Sequence, residues 1–108
     1  MKLTKSDRLL ISAILPEKGK FEDLMLKKDI VIKLDLTKKE KKDINLKNIN
    51  NGLSLSWKDL DNKETDIELS SSEITFIKSV FEKTSAQEAL TMSQLPTMVK
   101  LREYKIEV

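Results

Sequence analysis

The chain has 108 residues, 39% hydrophobic and 35% charged, and its 20 basic and 18 acidic side chains leave a net charge of +2. That length fits a single domain over residues 1–108, with one core and no need of a metal or disulfide to hold it. With neither cysteine nor histidine, the chain lacks a thiol nucleophile, the usual zinc ligands and the side chain that most often moves protons near neutral pH. Its two glycines, Gly19 and Gly52, can build neither a Walker loop nor a dinucleotide fingerprint. The residues therefore point away from an enzyme and imply no cofactor.

In chain order, the first signal is a capping box, Thr4 with Asp7 three residues on. The hydroxyl accepts from the backbone N–H at the third helical position, and the acid reaches back to the cap's own N–H. A helix over Lys5 to Leu15 is expected, with Leu10, Ala13 and Ile14 on its apolar face and Pro16 ending it. The run Leu9 to Leu15, broken by Ser12, is too short to span a bilayer and no cleavage site comes after it. Together with the missing cysteines, this reads as a mature, full-length, cytoplasmic chain with no membrane partner.

Residues 21–36 fit two periods. Leu26, Ile30 and Leu34 recur every four residues, while Ile30, Ile32, Leu34 and Leu36 alternate. The length of the run, uninterrupted by Gly or Pro, favours helix. A second box, Thr37–Glu40, opens a short polar helix from Lys38.

Asn50-Asn51-Gly52 is turn chemistry. Leu53, Leu55 and Trp57 then alternate with polar residues, as do Thr65, Ile67 and Leu69. Each set reads as one face of a strand, and the polar link Asp59 to Glu64 joins them into a hairpin with Trp57 inward. The box Ser70–Glu73 starts a helix with Ile74, Ile77, Val80 and Phe81 buried, and Ser85–Glu88 starts another. Pro96 interrupts the segment beyond it, and Tyr104, Ile106 and Val108 suggest a last strand. Phe21, Trp57, Phe76 and Phe81 all sit in core-like patterns. The expected fold is α+β: four to five short capped helices around a central antiparallel hairpin, with a winged-helix-like order.

Leu3-Thr4, Leu36-Thr37 and Leu69-Ser70 recur at 33-residue spacing. The first and third copies continue alike, Leu10-Ile11 against Phe76-Ile77 and Ile14-Leu15 against Val80-Phe81, but the middle copy does not. This excludes an ankyrin-type array and leaves open a duplication of two helical hairpins. Asp59, Asp61, Asn62 and Glu64 begin like a calcium loop, yet Lys63, Glu64 and Ser70 stand where its pattern needs Asp or Asn, Gly and Glu.

Charge is segregated. Residues 27–50 hold eight lysines and four acids, and residues 57–73 hold two lysines and six acids. Two readings are open. In one, the chain is a non-catalytic module steered to a protein partner by its separated charges. In the other, a winged-helix-like domain meets nucleic-acid phosphates through Lys38, Lys39, Lys41 and Lys42, with Lys47 beyond them. Against the second stand the lack of arginine there, the acidic hairpin where the wing should be, and the weak overall basicity. A protein partner is therefore expected ahead of nucleic acid. Oligomeric state is not encoded in any of these signals.

Lys2-Leu3-Thr4-x-x-Asp7-Arg8-Leu9-Leu10, the Leu36-Thr37-x-x-Glu40 cap, the Trp57 strand and Ile67-Glu68-Leu69-Ser70 before Glu73 give a layout similar to small uncharacterised proteins of phages and integrated mobile elements. Eighteen lysines against two arginines suit an AT-rich genome of that kind. The resemblance implies a regulatory binder of another macromolecule and carries over no functional residue.

Overall fold

The structure, a computed structural model, describes residues 1–49, 54–58 and 62–105. Among these residues are five α-helices: α1 (Lys5–Ile14), α2 (Phe21–Leu34), α3 (Lys38–Asp43), α4 (Ser71–Ala86) and α5 (Leu95–Glu103). With them run four short strands, β1 (Lys2–Leu3), β2 (Lys47–Ile49), β3 (Ser54–Ser56) and β4 (Thr65–Asp66). Among the described residues, no helix is long and apolar enough to cross a membrane.

Three of the four expected capping boxes form in full. Thr4, Thr37 and Ser70 each accept from the N–H three residues on, at 3.0–3.2 Å, and Asp7, Glu40 and Glu73 each return the bond. α1 stops at Ile14 because Pro16 forces Leu15 into extended backbone (ψ 138°). The ambiguous segment is a helix as far as Leu34, and its buried side is Ile30 and Leu34 with Leu26 half-buried.

The fourth box, Ser85–Glu88, does not start a helix; it ends one. Glu88 has φ 57°, and the N–H groups of Glu88 and Ala89 return to the carbonyls of Ser85 and Thr84. That is a Schellman close, which a left-handed residue after the helix produces. The apolar period of α4 runs through to Phe81, so helix persists past Ser85. Pro96 likewise opens a helix instead of interrupting one, since at the second position of α5 its missing N–H costs nothing.

The hairpin is redrawn. β3 pairs antiparallel with β2, Lys47 opposite Ser56, and β4 pairs instead with the N-terminal β1, Lys2 opposite Asp66. Alternation reports that a strand has two faces, but not which strand lies beside it. Among the described residues, the expected pairing of Leu53–Trp57 with Thr65–Leu69 is therefore absent, and Leu53 itself lies outside them. Trp57 is half-buried, and its indole N–H donates to Ser6 Oγ at 2.8 Å. The turn Asn50–Gly52, the acidic stretch Asp59–Asp61 and the tail Ile106–Val108 lie outside the described residues. The α+β class holds, with two separate two-stranded sheets.

The core joins α1, α2, α4 and α5 through Leu3, Ile11, Leu15, Ile30, Leu34, Ile77, Phe81, Met98 and Leu101. On α1 the buried side is Asp7, Arg8 and Ile11, while Ala13 is exposed, so the helix is rotated from the expected face. The two hairpins, α1–α2 and α4–α5, pack on each other reciprocally. Met1 and Ile67 exchange both backbone bonds at 2.9 Å. α2 packs on α4, and α5 packs on α1. Ile11, Leu15 and Leu34 of the first hairpin and Ile77, Phe81 and Leu101 of the second are all buried in that one core. The outer two of the three repeated signals thus each start a core helix, and α3, β2 and β3 lie between those helices in the chain.

Candidate functional site

Each capping-box carboxylate has a second role. Asp7 accepts from Lys100 Nζ and from Thr97 Oγ1, both at 2.6 Å. Glu73 accepts from Lys33 Nζ at 2.6 Å. Glu40 accepts from two guanidinium nitrogens of Arg8, at 2.6 and 3.3 Å. The acid that starts a helix therefore also clips that helix to another one. The Lys33–Glu73 clip ties α2 to α4, and the Lys100–Asp7 clip ties α5 to α1.

Among the described residues, Arg8 has a side chain that joins three separate places at once. Besides Glu40, it donates from Nε to the Leu34 carbonyl (3.1 Å) and from Nη2 to the Asp35 carbonyl (2.6 Å). One buried guanidinium thus binds the end of α2, the turn and the start of α3. Motif and period do not single it out in the sequence. Its only signal there is that it is one of two arginines among eighteen lysines, and a fork with five donors does what lysine cannot.

Burial pushes the carboxyls of Asp7, Glu40 and Glu73 up, but hydrogen bonds outweigh it and all three end below the usual carboxylate range. The decisive donors are Lys100 and Thr97 for Asp7, Arg8 for Glu40, and Lys33 for Glu73. Burial pulls Lys100 down, but Asp7 and Glu64 hold it above its ordinary value. A depressed carboxylate stabilises fully above its unfolded value of about 4 and loses that contribution as pH falls through the folded value. A raised lysine loses its contribution only as pH rises past about 10.5. Thermal stability is therefore expected to be flat from about pH 5 to 10 and to fall steeply below about pH 4. Melting curves across that range check it, and an unchanged midpoint in acid would refute the clips.

α3 carries no buried residue. Lys38, Lys39, Lys41 and Lys42 line one open groove of about 710 Å³ with Asn45 and Leu46. Among the described residues no carboxylate lines it. Lys47 stands next on β2, exposed. Among the described residues Lys38, Lys39 and Lys42 have no ion-pair partner, and Lys41 has only Asp35 at 3.9 Å. Four of the five lysines singled out from the sequence thus line one groove, and Lys47 follows on β2 outside that lining.

The other conspicuous surface is apolar. Phe21 (74% exposed), Met25 and Ile32 (66%) form a row along the outer side of α2. Phe21 is thus not the core residue its pattern suggests; it opens α2 one turn before the packed part of the helix. Met92, Leu95 and Val99 form a corresponding exposed row on the second hairpin. No family model, curated protein or solved structure matches the chain.

Proposed function

We propose that the chain is a non-catalytic module, of the kind found in phages and mobile elements, that binds a macromolecular partner, a protein ahead of nucleic acid. The cytoplasmic setting expected from the missing cysteines belongs to that reading. The supporting observation is the row Phe21, Met25 and Ile32 on a helix fixed from behind by Ile30 and Leu34. Large apolar side chains aligned on a rigid element suit the apolar groove or helix of another protein. The test compares pull-downs from bacterial lysate by the wild type and by a Phe21→Ser/Ile32→Ser variant. Loss of a specific captured protein with the variant is the expected result. Identical capture by both, or a reproducible turnover abolished by a point mutation that leaves the protein folded, overturns the reading.

The second reading is a winged-helix-like nucleic-acid-binding domain, and one observation favours it. The acidic segment does not supply the described strands of the hairpin behind α3. Those strands are Lys47–Ile49 and Ser54–Ser56. Glu64 is held by Lys100 and Asp66 by the N-terminal ammonium. The charge that these two acids would turn on a phosphate is therefore partly offset. Three helices and then this hairpin is the order such a domain requires.

A further inference from the structure

Resting on that second reading, we infer that α3 and Lys47 form a face for the sugar–phosphate backbone of duplex nucleic acid, and that the Arg8–Glu40 clip is the positioning device that sets it. A helix of six residues does not hold itself in water. Its like charges worsen the case. Lys38 and Lys42 stand at i, i+4, Lys38 and Lys41 at i, i+3, and Lys39 and Lys42 at i, i+3. What holds α3 is at its two ends. At the start, Glu40 closes the cap on Thr37 and takes the Arg8 fork. At the finish, Ile44 is buried, Asn45 turns left-handed with φ 51°, and the Ile44 carbonyl accepts from the Lys58 N–H at 2.7 Å. The lysines between are presented at fixed positions while mutually repelling. A polyanion is the ligand that relieves that repulsion, and presentation before binding reduces the ordering cost.

The same geometry argues against reading of base sequence. Arginine forks are the commonest specific base contact, and both arginines here are engaged internally. Arg8 is under α3, and Arg102 is paired with Glu82 at 2.8 and 3.0 Å. Lysine meets phosphate as a point charge.

The experiment titrates a mixed-sequence DNA duplex at several salt concentrations against four proteins: wild type, a variant with Lys38, Lys39, Lys41 and Lys42 all changed to Gln, Glu40→Gln, and Arg8→Lys. Four lysines predict a log–log salt slope of about −3 to −4 for the wild type, collapsing in the quadruple variant. Glu40→Gln is the decisive arm. It removes a negative charge beside the lysines, so electrostatics alone predicts tighter binding. Loss of positioning predicts binding weakened about threefold or more, with a shallower slope. Arg8→Lys keeps the charge and loses the fork, and should weaken binding in the same way. Circular dichroism and melting fix a temperature at which the variants keep wild-type helix content. Tighter or unchanged binding by Glu40→Gln overturns the positioning role and leaves the nucleic-acid reading standing. No binding by the wild type at low salt, or a slope indifferent to the four lysines, overturns both.

Discussion

Replacing Phe81 by alanine is expected to cost about 3–5 kcal/mol, the range for truncating a buried aromatic. Phe81 is 1% exposed and is the largest fully buried side chain among the described residues. It lies where α4 meets α5, next to Met98 and Leu101. It shares the core cluster with Ile11 and Leu15 of the first hairpin, so its loss opens the core where the two hairpins meet. A domain of this size is typically stable by only about 5–15 kcal/mol, so the variant approaches unfolding at ambient temperature. Urea denaturation measures it. A loss under about 1 kcal/mol would mean that the α4–α5 packing is wrong.

Asp7→Ala is the second large effect, and it is electrostatic. The carboxylate is 5% exposed and serves the Thr4 N–H, the Thr97 hydroxyl and the Lys100 ammonium together. Removing it breaks the return half of the α1 capping box, while Thr4 Oγ1 still accepts from the backbone N–H at position 7, and it leaves the fully buried Thr97 hydroxyl without this acceptor. Breaking a buried pair from one side costs about 3–5 kcal/mol. The lower end, about 3 kcal/mol, is expected here because Lys100 keeps contact with water and with Glu64. The double variant Asp7→Ala/Lys100→Met should lose less than the two single losses added together, since each partner is costly mainly when stranded. Strict additivity in chemical denaturation would show that the two groups do not interact.

The three working boxes were legible because a cap is local: Thr4 and Asp7 are three residues apart, and nothing distant is needed to form the ring. Their tertiary partners were not legible. Lys33 meets Glu73 across 40 residues and Lys100 meets Asp7 across 93, and nothing in one sequence separates those lysines from sixteen others. Ser85–Glu88 has the same local grammar as the true starts, but it falls on the apolar period of α4, and the longer-range pattern prevails. The strands were found by alternation and given the wrong neighbour, because pairing is settled by which edge is reached, as β4 reaches β1. The lysine cluster was legible as composition. That it lies on a helix clamped by Arg8 was not, because the clamp comes from α1, 32 residues earlier than the acid it grips.

The reciprocal packing of the hairpins also bears on how the chain could change. The hairpins close on each other where Met1 meets Ile67, and α3, β2 and β3 fall in the loop that this closure bridges. The entropy of closing such a loop rises only logarithmically, by about 0.6 kcal/mol for each doubling of its length. Folding of the frame is therefore nearly indifferent to how long the intervening segment is. Insertions there are cheap, whereas an insertion within either hairpin would shift the helices that pack on the other one. The lysine-bearing segment is thus the part of this chain with the most freedom to vary, held to the frame chiefly by one guanidinium from α1, the Trp57–Ser6 bond and a few buried side chains such as Ile44.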